Sequence, residues 1–351
     1  MKCRAPGACA FLFALSLVGL GRADEPVMPG MPPGPAVDEL IIDEGMAYGP
    51  PVAESGPIQT PVFDECVACP RWTITADTLY FDRSDVFEQT VLREEIDDLI
   101  ISRLDASDLE LDNELGARIR LIRHTPSGWG IELNYMGLDW SEGAAFDPMT
   151  GTLRIDRDMG MDVTSAYFNY ESEIHSVEIN FRKPLTPWIT PLVGFRWVGL
   201  YEDYGVAGLD AQNVPAPYAL RYGADNNLYG FQMGLEGDFW NHMNCWRVAG
   251  SLKGGIYYGD TNLDVSLTDL DVLSDDDGGV SFLGEFALLG VWNATEWLQL
   301  RAGYQLMWIE GVALAPEQIP LTSIISDEDS AINSEGSPFY HGPFGGVELT
   351  W

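Results

Sequence analysis

The chain has 351 residues, of which 46% are hydrophobic, and it carries a formal net charge of −35. Only 19 Lys and Arg stand against 54 Asp and Glu, a balance that argues against nucleic acid as a partner. The hydrophobic content is high enough to exclude a chain that is disordered throughout.

Residues 1–23 have the features of a secretory signal peptide. Lys2 and Arg4 form a basic start, an apolar run covers 8–20, and small residues precede Asp24. This run is too short for a helix that crosses a membrane, which needs about 20 apolar residues. We therefore expect a chain that is exported and then cleaved.

Residues 24–65 differ in composition from the rest of the chain. VMPGMPPGPAV and YGPPVAESGPIQTP are rich in Pro, Gly and acidic residues and have no hydrophobic period. Such a segment is too poor in apolar residues to form a core. The sequence predicts an acidic Pro/Gly-rich periplasmic linker over 24–65, followed by one folded domain over 66–351.

Apolar and polar residues alternate in many segments of that domain, as expected for strands with one apolar face. Ten segments have this period and are about long enough to cross a bilayer as tilted strands. They are RWTITADTLYFD, LGARIRLIRH, GWGIELNYMGLDW, SEIHSVEINFRK, WITPLVGFRWVGLYE, LYGFQMGLEGDFW, CWRVAGSLKGGIYYG, VSFLGEFALLGVW, EWLQLRAGYQLMWIEG and FYHGPFGGVELTW.

The connections between these segments alternate in length. The short ones are 125–128, 183–187, 240–244 and 293–296, and the long ones lie near 83–112, 141–171, 202–223, 259–279 and 313–336. Outer-membrane barrels have this alternation, with tight periplasmic turns and long outer loops. The sequence predicts an all-β protein, a transmembrane antiparallel β-barrel of about ten strands, with twelve as the alternative. It would lie in the bacterial outer membrane, in contact with its lipid.

The segment FGGVELTW, residues 344–351, places Val347, Leu349 and Trp351 on one face of a strand and polar residues on the other. We expect this strand to pair with the first one, because an unpaired edge is not tolerated in lipid. The three residues would form an assembly seam on the lipid side. The barrel-assembly machinery is the expected partner.

Several segments resemble a known family. GFRWVGLYEDY, NNLYGFQMGLEGDFW, SFLGEF, RAGYQLMWIEGVALAP and FYHGPFGGVELTW are similar to shared segments of the seventh beta-barrel porin family of bacterial outer membranes. The similarity covers most of the stretch from Trp72 to Trp351. It implies an outer-membrane barrel with a porin function, and the terminal aromatic residue resembles the assembly signal of many such barrels.

If the apolar faces point to lipid, the opposite faces place charged residues in the lumen. These are Asp77, Arg118, Arg120, Glu132, Glu178, Arg182, Arg196, Glu236, Arg247, Lys253, Glu285, Arg301 and Glu348. Acidic and basic strands nearly alternate around the ring, and neighbouring strands lie about 4.8 Å apart, so these charges could pair. Two interpretations follow: a structural plug of ion pairs, or a narrow water-filled path lined by the same residues.

The predicted outer loops are acidic. Asp275, Asp276 and Asp277 could attract divalent cations such as calcium, although the spacing does not match the twelve-residue calcium loop. A solvated acidic loop without metal is the alternative, and no other cofactor is expected. The segment VLREEIDDLIISRL has Leu92, Ile96, Leu99 and Leu104 at helical spacing, which predicts a short amphipathic helix.

The cysteine pattern CVAC, with Cys66 and Cys69, precedes the first strand in an oxidising compartment. A local disulfide between them would leave Cys245 unpaired, and a redox site is the alternative. The sequence has no nucleophile, phosphate-loop or clustered-histidine motif, so no catalytic residue is predicted. The expected function is a structural or surface barrel with a largely closed lumen. The alternatives are a passive porin for small solutes and an outer-membrane hydrolase.

Overall fold

The computed structural model describes residues 71–84, 90–96, 99–105, 111, 113–146, 152–155, 161–163, 165–209, 215–242, 245–267, 270–321 and 332–351. The chain divides into two units, and the described residues belong to the unit that contains Cys66–Trp351. The predicted signal peptide and linker lie outside the described residues.

Fourteen strands are described. They are β1 (Trp72–Arg83), β2 (Thr90–Ile96), β3 (Leu99–Asp105), β4 (Glu114–His124), β5 (Gly130–Phe146), β6 (Thr152–Ile155), β7 (Met161–Val163), β8 (Ser165–Arg182), β9 (Ile189–Leu209), β10 (Pro215–His242), β11 (Trp246–Leu267), β12 (Leu270–Asn293), β13 (Leu298–Glu310) and β14 (Phe339–Thr350). A 3₁₀ helix, Ala315–Leu321, lies between β13 and β14.

Ten of these strands form a closed antiparallel barrel in the order β1-β14-β13-β12-β11-β10-β9-β8-β5-β4. The ring closes where β1 pairs with β14, with Ile74 opposite Leu349. The main chain of Trp351 continues this pairing, since its N–H donates to the carbonyl of Trp72 at 3.0 Å. The prediction of a ten-stranded antiparallel barrel is confirmed.

The outer wall of the barrel is apolar and has aromatic residues at both margins. One margin lies at the end where β1 begins and β14 ends, which we call the inner end and which is predicted to face the periplasm. Its exposed tryptophans are Trp129, Trp188, Trp240, Trp246, Trp297 and Trp351. The other margin, toward the outer end, has exposed Tyr135, Tyr229, Tyr258, Tyr304 and Trp308.

Between these margins the exposed side chains include Leu133, Met233, Ile256 and Phe286. From Trp240 to Tyr229 on β10 the distance along the strand matches the roughly 9–11 residues that a tilted strand needs to cross a bilayer. An apolar band between two aromatic girdles is the lipid-facing surface of an outer-membrane barrel. Within the described residues, no helix is long and apolar enough to cross a membrane.

Two predicted long loops, 202–223 and 259–279, are largely strand in the structure. β9 continues to Leu209 and β10 begins at Pro215, while β11 and β12 are separated by two residues. Acidic residues suggested loops here, and several of them, such as Asp260 and Asp264, are exposed on the outward face. The other face continues the apolar period with buried residues such as Val206 and Tyr222, so the strands extend beyond the membrane.

The predicted amphipathic helix in VLREEIDDLIISRL is wrong. This segment forms the hairpin β2–β3, which belongs to a four-stranded sheet of order β3-β2-β6-β7. Its β-branched residues, including Ile100 and Ile101, favour strands, and β2 also pairs with β6. Tertiary pairing therefore overrides a helical spacing of four leucines and isoleucines.

Candidate functional site: the barrel lumen

The lumen has two layers of different chemistry. Toward the inner end lies a charged layer, which contains the thirteen charged residues predicted for the lumen together with Asp238. Toward the outer end lies an apolar layer built from buried side chains that include Phe81, Leu200, Leu228 and Ile309.

One group of ion pairs in the charged layer lies near the closing strands. Arg118 pairs with Asp77 at 2.8 Å, and Arg301 pairs with the same carboxylate at 3.2 Å. Glu348 on β14 contacts Arg301 at 3.3 Å and Arg120 at 3.4 Å. These contacts connect three strands around the point where the barrel closes, β14, β1 and β4, and reach β13.

Arg120 continues the network across the lumen, because its guanidinium also pairs with Glu236 at 3.0 Å. Glu236 is shared with Arg182, whose guanidinium also pairs with Glu132 at 2.6 Å. Since β4 and β10 are not neighbours in the ring, the Arg120–Glu236 contact crosses the lumen interior. Charged side chains therefore occupy the interior of this layer and do not only line its wall.

The most deeply buried part of the layer surrounds Arg196, whose exposed fraction is 0%. Its guanidinium pairs with Glu285 at 2.7 Å and Glu178 at 3.6 Å, and it donates to Ser176 at 2.8 Å. Lys253 pairs with Glu178 at 2.7 Å. A cation that is removed from water in this way must be balanced by nearby carboxylates, as it is here.

Amide side chains fill the remaining hydrogen-bonding positions of Glu178. Asn134 and Gln232 donate to its two oxygens at 3.0 and 2.7 Å, and Asn180 donates to it at 2.9 Å. Asn180 also donates to Glu132 at 3.0 Å. These amides satisfy carboxylates that lie out of contact with water, which lowers the cost of burying them.

Strand register explains why the charges meet. Asp77 lies opposite Arg118, and Glu178 lies opposite Arg196. Directly opposed residues have their Cβ atoms about 5 Å apart. Glycine provides space for one of these carboxylates: a Cβ at Gly346 would lie 2.5 Å from the Asp77 carboxylate. Alternation along each strand and small residues at the crowded positions therefore build the layer together.

The charged layer is electrically balanced. Among the described residues it contains seven basic groups, namely Arg118, Arg120, Arg182, Arg196, Arg247, Lys253 and Arg301, and seven acidic groups, namely Asp77, Glu132, Glu178, Glu236, Asp238, Glu285 and Glu348. Asp238, which the sequence analysis did not single out, pairs with Arg247 at 3.4 Å. A chain of net charge −35 thus places an equal number of opposite charges here.

A cavity of about 230 Å³ lies within the charged layer and extends toward the inner end. Arg247, Asp238, His124 and Trp188 are among the residues that line it. The Arg247–Asp238 pair is about 30% exposed, so solvent reaches this end of the layer. Arg196 and Glu178 do not line the cavity, which leaves them enclosed between it and the apolar layer.

The apolar layer contains an ion pair that was not expected from the sequence. Arg83 and Glu202 are both buried and lie 2.5 Å apart. The Arg83 guanidinium lies 5.5 Å from the ring centroid of Tyr170, whose hydroxyl donates to Glu202 at 3.1 Å. Both charged residues continue the inward period of their strands. Arg83 follows the end of its predicted strand and Glu202 is the last residue of its own, so both stood at the start of predicted loops.

The first part of the connection that follows β13 folds into the lumen. We call this part, Gly311–Gln318, the strap. Val312, Ala313, Leu314 and Ala315 of the strap are buried in the apolar layer. The sequence predicted an outer loop over 313–336, and the described part of that loop packs inside the barrel. Its run of apolar, mostly small residues explains the difference. Removing them from water is favourable, and small side chains fit among the larger ones of the wall.

Other predicted site residues are not brought together. Asp275, Asp276 and Asp277 are consecutive on β12, so their side chains alternate between the two faces of the sheet. Among the described residues no group of three potential metal-ligating side chains occurs. Val347, Leu349 and Trp351 lie at the closing strand, where Val347 and Trp351 are exposed on the outer wall.

Cys245 forms a disulfide bond, so the expectation that it is unpaired is wrong. It lies in the turn that precedes β11, in a compartment where oxidation favours bonded thiols. The other four cysteines of the chain, including the predicted Cys66–Cys69 pair, lie outside the described residues. A local bridge within CVAC therefore cannot be the whole disulfide pattern.

No family model and no curated protein matches the chain, so the resemblance to the seventh beta-barrel porin family is not confirmed. Among solved structures, the outer membrane protease OmpT from Escherichia coli is 9% identical, covers 80% of this chain and 96% of its own, and has a TM-score of 0.44. The translocator domain of the autotransporter NalP from Neisseria meningitidis is 9% identical, covers 82% of this chain and 91% of its own, and has a TM-score of 0.39.

The toluene transporter TodX from P. putida is 7% identical, covers 81% of this chain and 90% of its own, and has a TM-score of 0.32. These similarities are too distant to carry an argument about activity. The wall of the barrel, with its closed ring, apolar band and two girdles, decides the location. The chain is a β-barrel of the bacterial outer membrane.

Proposed function

We propose that this protein is a structural or surface barrel whose lumen is largely closed. The observation that carries the proposal is the balanced, buried charged layer, in which Arg196 has no exposed surface. A conducting path needs hydrated charges that bind and release ions. Here carboxylates and amides occupy the hydrogen-bonding positions that water would take, and the apolar layer lies directly above.

The function of the barrel would therefore depend on the surfaces that it exposes and not on the passage of solutes. Its outward wall beyond the outer girdle carries Glu171, Asp203, Asp225 and Asp264, which would present negative charge outside the cell. Lipid of the outer membrane and the barrel-assembly machinery are the partners we expect. The proposal includes no catalytic residue, no cofactor and no divalent cation.

Single-channel recording of the refolded protein in planar lipid bilayers tests this function. We expect insertion without discrete conductance steps, while a known general porin that is refolded in the same way gives them. Stable, reproducible steps would refute the closed lumen. They would favour a passive porin for small solutes, the function that the cavity of about 230 Å³ supports.

A further inference from the structure

We propose that the strap is a latched lid over the outer end of the lumen, which can leave its place without unfolding the barrel wall and without opening a path through it. This inference deepens the proposed function and rests on the closed lumen. It gives the two layers separate roles: the charged layer blocks passage, and the strap controls access to the apolar layer from outside.

The strap crosses the mouth of the barrel. It begins one residue after β13 and reaches β10 and β9, which lie three and four strands away in the ring. The turn into the lumen occurs at Gly311, where φ is +81° and a Cβ would lie 2.7 Å from the carbonyl oxygen of Val280. Glycine is suited to this position because other residues rarely adopt such a backbone conformation.

Two wall residues hold the strap by its backbone. The Asn226 side chain donates to the carbonyl of Ala313 and accepts from the N–H of the same residue, both at 2.8 Å. Glu202 accepts from the N–H of Ala315 at 2.9 Å. We call Asn226 and Glu202 the latch. Because both use side chains, a substitution can remove them without altering the strap sequence.

The latch residues have other partners within the wall. Asn226 accepts a hydrogen bond from the Thr261 hydroxyl at 3.1 Å. Glu202 pairs with Arg83 and accepts hydrogen bonds from the hydroxyls of Tyr170 and Ser172. If the strap leaves, these side chains therefore still have partners that do not belong to the strap. Buried polar groups with alternative partners reduce the penalty of release, which is the property that a separable lid needs.

The strap also has contacts of its own that would move with it. Gln318 donates to the carbonyls of Leu314 and Asn333 at 3.1 and 2.8 Å and accepts from the N–H of Asn333 at 3.0 Å. Val312 and Gly336 exchange main-chain hydrogen bonds. The outgoing and returning parts of the connection are thus joined to each other as well as to the wall.

Thiol labelling tests the lid. Ala224 is fully buried on β10, two residues from Asn226, so Ala224→Cys places a reporter thiol in the apolar layer with little change in volume. The probe is a hydrophilic polyethylene-glycol maleimide, applied to the full chain refolded in lipid vesicles. The chain without the reporter gives the background from native cysteines. Labelling is read as a shift on a gel.

In protein that carries Ala224→Cys, we expect Asn226→Ala to speed labelling about tenfold. This corresponds to a loss of about 1.4 kcal/mol in the free energy that holds the strap closed. Gly311→Val, which strains the turn and leaves the latch intact, should act in the same direction. Asn262→Ala is the matched control, since Asn262 is exposed on the neighbouring strand, and it should leave the rate unchanged. The latch variants should remain non-conducting in planar bilayers.

Unchanged labelling in folded Asn226→Ala and Gly311→Val protein would refute the lid. Loss of the folded barrel in both variants would refute it as well, because a separable lid is not needed by the wall. Conductance of the unmodified protein would instead refute the closed lumen, and labelling would still report on the strap. The two failures are therefore distinguishable.

Discussion

The charged layer and the apolar layer close the same lumen by different means. In the charged layer, side chains from the wall meet across the interior, as Arg120 and Glu236 do. In the apolar layer, wall side chains pack around an inserted segment, the strap, whose Val312, Ala313 and Leu314 are buried. Long charged side chains can span the lumen of a ten-stranded barrel, whereas shorter apolar ones leave room for a backbone.

This difference predicts different consequences of damage. Removing one charge leaves its partner buried and unpaired, which costs more than the lost contact itself. Removing apolar volume costs the transfer free energy and a cavity. Loss of the strap, as proposed above, exposes one layer and leaves the other in place. Four substitutions or deletions, in order of decreasing expected effect, test the comparison.

Deletion of residues 344–351 should abolish the folded barrel altogether. These residues include the part of β14 that pairs with β1 from Thr73 to Leu79, and their loss also removes Glu348 from the charged layer. An open edge would then face lipid. The measurement is heat-modifiable migration of the protein in outer-membrane fractions, and recovery of folded truncated protein there would contradict the closure argument.

Arg196→Ala should lower the free energy of unfolding by about 3–5 kcal/mol, because Glu178 and Glu285 lose a buried cation. Arg221→Ala is the matched control: its side chain is 69% exposed, and the expected cost is at most about 1 kcal/mol. Urea unfolding in vesicles measures both. Unchanged stability of Arg196→Ala together with altered ion selectivity in planar bilayers would restore the porin interpretation, and Arg301→Ala provides an independent repeat.

Leu200→Ala should cost about 2–5 kcal/mol, since Leu200 is fully buried in the apolar layer. The cost should not depend on salt, since no charge is removed. Leu252→Ala, on the half-exposed outer wall, serves as the control for loss of a leucine. If both leucine variants unfold at the same urea concentration, the apolar layer does not contribute the packing that we assign to it.

Glu317 predicts a small pH effect on the strap. Burial, together with the nearby Glu202 carboxylate, raises the pKa of Glu317. An acid whose pKa is raised on folding stabilises the closed strap below its unfolded value, and this contribution is lost as pH rises through the folded value. Labelling of Ala224→Cys should therefore speed up with pH by on the order of twofold relative to the Glu317→Gln variant, because Glu317 is partly exposed. If the ratio of the two labelling rates does not change with pH, Glu317 does not influence the closed strap.

The alternation of apolar and polar residues was enough to predict most of the fold. It located the first and last strands and the membrane-crossing parts of the others, since each of these has one face toward lipid. The alternation was overlooked in 202–223 and 259–279, where acidic residues on the outward face led us to predict loops. The buried face of these segments retains the same period, which composition alone conceals.

Thirteen of the fourteen members of the charged layer lie where the alternation placed them, because inward position follows from it, and Asp238 was missed. Pairing between neighbouring strands, as for Asp77 and Arg118, follows from the same reasoning. Contacts across the lumen do not, since Arg120 and Glu236 belong to strands that are distant in the ring. The strap and the Arg83–Glu202 pair could not be placed either. A loop that folds inward has no period to reveal it, and its partners on β9 and β10 are set by the closed barrel.

The pairing of β1 with β14 also sets the order of folding. Thr75 and Glu348, which are 273 positions apart, share a hydrogen bond across this pair, while the other strand pairs of the barrel join neighbours or near neighbours in the chain. Local hairpins form in about 1–10 μs, whereas contacts between distant residues carry a larger loop-closure entropy and form slowly. The ring should therefore close last. Until then the chain is a curved sheet with two free edges, and it is most prone to aggregation at that stage.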